Sequence, residues 1–401
     1  MASLAAHVFT PPKAPITSPA SVSSSKTPRL RSHRNDSPHR LLSFLSPSAS
    51  DAAAGPIATD SHPLATAAAT STSLSNWVEF ARRVSGEWDG FGVEFTSQGA
   101  PVELPENVVP GAFREWGVQV FDWQTQCPTL ADEHGGLFLT YKMIKLLPTV
   151  GCEADAATRY SVEERAVGGA DNQVSAFAYD SSGSFVAVWP MESRGGLKVL
   201  ELEHCLVDPR DKEARIRVIQ VVLVEEGAMR LEKIRVFSEH WDGPFRNGEL
   251  LGGCAIRDSA FATTAVVDVS EVVGVWQGTS LATARLQSEH KYMGYLRYCR
   301  LDCANIVDIE GIFHELVVDM PFRTIRELHG LVALPKQLWS LSGENKDGET
   351  WWEVGWLLDH GNAITSRCVF LNNGMLKASC SLARFLMQIC LLSGMRCAIT
   401  I

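Results

Sequence analysis

Apolar and polar residues alternate with a period of two through most of the chain from Phe91 to Asp242, and the alternation returns after Val272. That period predicts strands rather than helices. Val174–Tyr179 and Ser184–Trp189, joined by Asp180-Ser-Ser-Gly183, predict a hairpin. Lys198–His204 is the next strand. Ala214–Val224 and Met229–Phe237, separated by Glu225-Glu-Gly227, form the clearest hairpin in the chain. There Ile216 and Val218 alternate with Arg215 and Arg217, which predicts a strand with one wet face. Gly136–Lys142 is a further run. Phe113–Asp122 reads as a strand with Trp116, Val118 and Val120 on one side. In the second half, Tyr292–Tyr298, Arg326–Leu334, Thr350–Leu358 and Ile364–Leu371 continue the series, the last before an Asn373-Gly374 turn. The helical period is seen in Ser75–Val84, where Trp77, Phe80, Ala81 and Val84 fall on one face behind a capping Ser75.

Two places break the alternation in the same way. Gly86-Glu-Trp88-Asp-Gly90 and Gly274-Val-Trp276-Gln-Gly278 both set a tryptophan between two glycines, and both lead into strand-like sequence. A tryptophan at the start of a small barrel plugs the closed end, provided its indole N–H finds an acceptor. Glycine on either side lets the backbone turn and approach its neighbours without a Cβ. The repeat therefore predicts two antiparallel barrels, 73–245 and 272–375, joined by a linker or crossing helix over 246–271. Residues 376–401 depart from the pattern. The apolar block Ser381–Leu392 stands where a closing strand of alternating polarity is expected. Either the tail comes from an alternative splice or gene-model ending and the second barrel is cut short, or it is a helix packed over that barrel.

The Gly-x-Trp pair resembles the opening of the calycins, the superfamily of lipocalins and fatty-acid-binding proteins. The run Phe113-Arg-Glu-Trp116, with Val120-Phe-Asp-Trp-Gln-Thr-Gln-Cys127-Pro128, is more distinctive. It resembles an uncharacterised plant and cyanobacterial family of fatty-acid-binding-protein-like barrels, distantly similar to bilin chromophore lyases. The likeness covers residues 75–375. It implies a mainly β fold of two calycin-like β-barrels with short N-terminal helices, and it carries over no catalytic residue. Gly86–Gly92 also resembles the opening of haem-binding nitrobindin barrels. These need an axial histidine, for which His290, His314 and His360 are the candidates.

Composition narrows the function classes. Hydrophobic residues at 45% and charged residues at 20% describe a soluble globular protein. A net charge of −10 argues against nucleic-acid binding. No apolar run is long enough to cross a membrane as a helix. Up to Thr72 the chain is rich in Ser, Ala, Thr and Pro. There Lys13, Lys26, Arg29, Arg31, Arg34 and Arg40 outnumber Asp36, Asp51 and Asp60. That is the composition of an organelle transit peptide, with chloroplast favoured by Ser and Pro. The ten cysteines include no Cys-x-x-Cys pair, which argues against zinc ribbons and thioredoxin-like redox motifs. There is neither a Gly-x-Ser-x-Gly elbow nor a phosphate-binding loop.

A hollow barrel holds a hydrophobic ligand. The large residues expected to line or orient it are Arg114, Trp116, Asp122, Trp123, Phe177 and Trp189, with Val118, Val120, Ile216 and Val218 beside them. The large apolar ones are more often plain core than ligand contact, and Arg114 with Glu115 or Asp122 would equally serve as a buried ion pair closing a barrel. The expected function is a plastid protein carrying a lipid or tetrapyrrole. No cofactor is specified. The alternatives are a bilin or tetrapyrrole lyase-like enzyme, and an assembly factor with solid barrels. An open cavity discriminates against the last, and ionisable residues converging at a barrel mouth would favour the enzyme.

Overall fold

The computed structural model describes residues 76–134, 137–148, 159–194, 197–225, 228–248, 259–285, 321–346, 348–370 and 379–387. All lie within one compact unit, Ser61–Ile401. The expected transit segment 1–72 and the strand expected at Tyr292–Tyr298 fall outside the described residues. The protein is mainly β, with a strongly curled antiparallel half-barrel sheet.

The first sheet holds β1 (Glu87–Thr96), β2 (Trp123–Gln126), β3 (Thr129–Ala131), β4 (Leu139–Leu146), β5 (Arg159–Val167), β6 (Ala176–Tyr179), β7 (Phe185–Arg194), β8 (Leu197–Val207), β9 (Ala214–Glu225) and β10 (Ala228–Gly243). Their order is β3-β4-β2-β1-β10-β9-β8-β7-β6, with β5 on β4. A flat sheet would hold β5 and β8, six strand positions apart, about 29 Å from each other. Arg165 on β5 nevertheless reaches Glu203 on β8 at 2.9 Å, so the sheet curls until its far strands meet across the interior. Helix α1, residues 76–84, buries Trp77, Phe80, Ala81 and Val84 against that interior, the face the helical period predicts.

The second sheet holds β11 (Gly274–Arg285), β12 (Pro321–Arg326), β13 (Leu331–Leu334), β14 (Leu338–Glu344), β15 (Thr350–Asp359), β16 (Asn362–Phe370) and β17 (Ser379–Met387), in the order β12-β11-β17-β16-β15-β14-β13. It also curls: Arg326 on β12 bonds Glu353 on β15 at 2.6 Å, four strand positions away.

The wet face expected on β9 is absent. Arg215 and Arg217 point into the first sheet's interior and are almost wholly buried. Ile216 and Val218, expected to line a cavity, point outward and are covered by the second sheet. The core between the sheets joins Leu200, Leu202, Val218 and Val222 to Trp352, Val354, Ile364 and Cys368. Both faces of β9 are therefore dry, and alternation there separates ion-paired positions from apolar ones rather than water from core.

Three other expectations change. Phe113–Asp122 is not a strand: Gly111–Glu115 forms the short helix α2, and β2 begins only at Trp123. Pro110 fixes the backbone entering that helix, and Gly117 (φ 65°) turns the chain out of it. The segment after 375 is not separate from the second sheet, because β17 pairs with β11 on one side and β16 on the other. Its backbone also lies against β6 and β7 of the first sheet. The described part of the expected linker is a strap without helix as far as α3 (Val269–Val272). Phe261 and Ala262 are buried, and their N–H groups donate to the Asp122 carboxylate at 2.7 and 3.1 Å.

Candidate functional site

The interior of the first sheet begins at Trp88. Its indole N–H donates to the Val84 carbonyl at 2.9 Å, and the Arg215 guanidinium lies 4.1 Å from its ring. The backbone at Gly86 (φ 141°) is one that favours glycine, and a Cβ there would stand 2.1 Å from the Trp241 indole nitrogen. Trp276 has the same seat. It donates to the Val272 carbonyl at 2.8 Å, follows Gly274 (φ 141°), and lies under the Arg326 guanidinium at 4.9 Å. Both copies of the motif thus sit in like surroundings at the opening of a curled sheet.

From Trp88 a ladder of alternating charge climbs the interior. Glu239 accepts from Arg215 at 2.7 Å and from two nitrogens of Arg217 at 2.9 and 2.7 Å. Arg217 reaches on to Glu203 at 2.9 Å. Glu203 also accepts from Arg165 and Trp189, each at 2.9 Å, and from the Tyr141 hydroxyl. Arg165 pairs with Glu201, which takes Arg235 at 2.5 Å. Burial by itself would raise the Glu203 and Glu239 carboxyls. The neighbouring guanidinium groups outweigh it and hold both below the ordinary carboxylate range. Bidentate pairing and multiple donors are what make such desolvated charges tolerable.

Above the ladder the interior opens into a cavity of about 570 Å³. Trp123, Met143, Val199, Val221 and Phe237 supply apolar wall. Glu94, Lys145, Glu163, Glu201, Lys233 and Arg235 bring charge to it. The Trp123 ring sits directly on Gly92, where a Cβ would stand 2.6 Å from the indole. The size is that of a small-molecule pocket.

The residues singled out from sequence part company here. Trp123 lines the cavity. Phe177 is stacked on Tyr179 and tilted against Phe185 in the buried aromatic core, and Trp189 is held there by Glu203. Asp122 fastens the inter-sheet strap. Arg114 and Trp116 belong to the α2 region on the surface, where Trp116 is 62% exposed and packs edge-on against Phe113. Val118 is exposed as well. His360 is exposed beside Glu271, while His290 and His314 lie outside the described residues. Lys145, Glu201 and Arg235 did not stand out in the sequence. The available signal was Glu201-x-Glu203 and Arg215-x-Arg217 at one parity on successive strands, which marks a shared charged interior.

Among the described residues no helix is long and apolar enough to cross a membrane, and no cluster of His, Cys, Asp and Glu has the makings of a metal site. No protein family description and no curated protein matches the chain. Among solved structures it is similar to a DUF3598-family protein of unknown function from Nostoc punctiforme. The identity is 13% and the TM-score 0.41, over 78% of this chain and 98% of that one. Weaker likenesses are MucB in complex with MucA (9% identity, TM-score 0.17, 78% and 92% covered) and outer membrane phospholipase A from Escherichia coli (7%, 0.14, 78% and 98%).

Proposed function

We propose that the protein is a carrier built from two calycin-like barrels, and that the first holds a hydrophobic small molecule, a lipid or tetrapyrrole, above its charge ladder. The single observation that carries this is the cavity of about 570 Å³ walled by Trp123, Met143, Val199, Val221 and Phe237. A barrel serving only as a scaffold has no use for such a space, since solid cores are filled to crystal-like density. The Ser- and Pro-rich, acid-poor first 72 residues support delivery to the chloroplast, with the stroma as the working compartment.

A second reading, a tetrapyrrole lyase-like enzyme, draws support from the ionisable groups gathered at the cavity. Most of these are already spent on each other. Glu94 pairs with Lys233 at 2.8 Å, and Glu201 and Glu163 pair with Arg235. Carriage is therefore the better supported of the two. The test is titration of the full chain with a polarity-sensitive apolar fluorophore, against a Val221→Trp variant that fills the cavity. Saturable binding in the parent and its loss in the variant are expected. Equal binding by both, or none by the parent, refutes the proposal.

A further inference from the structure

The charged groups lining the cavity, Glu94, Glu163 and Glu201 against Lys145, Lys233 and Arg235, balance in number but not in pairing. Lys233 is paired with Glu94, and Arg235 with Glu163 and Glu201. Glu163 and Glu201 are shared again with Arg165. Lys145 is left over. Among the described residues it has no carboxylate partner. Its Nζ lies 3.7 Å from the centre of the Trp123 ring and 5.6 Å from that of Tyr160. Its placement follows from the strand: Tyr141, Met143 and Lys145 occupy alternate positions on β4, and the first two belong to the interior core. Lys145 itself lines the cavity beside apolar wall. Burial pulls its pKa down, with Arg235 and Lys233 adding to the effect and Glu94 and Glu163 opposing it. An ammonium half-removed from water and without a carboxylate in direct contact is a site for an anion.

Taking the carrier proposal as its basis, we infer that the cavity selects a ligand carrying a carboxylate, which pairs with the Lys145 ammonium while the apolar body lies on Trp123, Met143, Val221 and Phe237. The chemistry common to the candidates is an apolar body with a terminal carboxylate. An acyl chain and a tetrapyrrole propionate both supply it. The carboxylate gives Lys145 an ion-pair partner, and the Trp123 ring under Lys145 fixes the direction from which it approaches. An amide, alcohol or ester of the same body fills the wall and leaves Lys145 unanswered.

The experiment measures binding to the full chain of palmitic acid against hexadecanol, and of biliverdin against its dimethyl ester. The free acid of one pair is expected to bind about ten- to hundredfold more tightly than its neutral partner. Which pair shows the difference identifies the source of the carboxylate. Lys145→Met is expected to abolish the preference by weakening the acid far more than the neutral compound, and a urea midpoint close to the parent's shows that the variant is folded. Lys145→Arg is expected to retain the preference. Equal binding of acid and neutral compound by the parent, or a preference that survives Lys145→Met, overturns the inference and leaves the cavity proposal standing. No binding of any of the four sinks both.

Discussion

Trp88 and Trp276 are each clamped between a carbonyl four residues back and a guanidinium from a distant strand, Arg215 for one and Arg326 for the other. Each is buried to within 1% of completely. Replacing either by alanine removes a full indole, its hydrogen bond and the surface on which the arginine rests. The expected loss is about 3–5 kcal/mol for each, measured by urea unfolding. A loss at Trp276 well below that at Trp88 would mean the two seats are not energetically alike.

Glu239 is the lowest rung of the ladder and answers both Arg215 and Arg217. Glu239→Gln leaves two buried guanidinium groups with one carboxylate fewer. It is expected to cost about 3–5 kcal/mol. The exposed Glu79, paired only with Arg82 at the surface, is expected to change stability by no more than about 0.5 kcal/mol when replaced by Gln. Replacing Arg215, Arg217 and Glu239 together with apolar residues of similar volume should recover much of the loss. Denaturant midpoints of these variants check the ordering.

Besides Glu203 and Glu239, whose lowered pKa values also favour the fold above the acid range, three buried groups shape the pH dependence. Burial lowers the His204 pKa to about 4, against the pull of its bond to Gln220, so the folded protein keeps this ring neutral between Ser366 and Gln220. The unfolded chain takes up the proton first, and stability therefore falls as pH drops from about 6.5 towards 4. Burial acts against Glu353, but Arg326 and Arg367 outweigh it and lower its pKa to about 2. Its contribution is complete above its unfolded value and is lost as pH falls from about 4.5 to 2. Asp89 runs the other way. Burial, with Asp242, raises its pKa to about 7, so it costs stability increasingly as pH rises from about 4 to 7. His204→Gln should flatten the upper acid limb of a stability–pH profile. Asp89→Asn should raise stability relative to the parent above neutrality, and an unchanged profile in either variant contradicts these assignments.

Met191 lines the cavity and is 39% exposed, which puts it at the rim. Met191→Trp should narrow the entrance without disturbing the ladder. Binding of an apolar fluorophore should become slower, with the melting temperature held within a few degrees. Stopped-flow association rates are the measurement, and an unaltered rate would mean that ligands enter elsewhere.

Much of the strand pattern was open to reading. The hairpin of β9 and β10, the helix face of Trp77, Phe80, Ala81 and Val84, and both Gly-x-Trp seats follow from local periodicity and the needs of glycine and tryptophan. What stayed hidden depends on partners far along the chain. Arg215 and Arg217 look like a wet face because a lone arginine belongs in water. They are buried only because Glu239 and Glu203 arrive from neighbouring strands. Ile216 and Val218 look like cavity wall until a second sheet covers them. Lys145 gives no local signal, since its meaning lies in which carboxylates around it are already taken. Trp116 stands in an aromatic run that alternates like a strand, whereas Pro110 and Gly117 bracket a short surface helix there.

The most direct measurement, which takes the proposed chloroplast location as its starting point, is the mass of the intact protein purified from green tissue under native conditions and without detergent. The carrier proposal predicts a species heavier than the bare polypeptide by one small molecule, released by organic solvent and absent from the Val221→Trp variant. A bare polypeptide, still bare after exposure to a whole-leaf lipid and pigment extract, would show that the space above the charge ladder carries nothing.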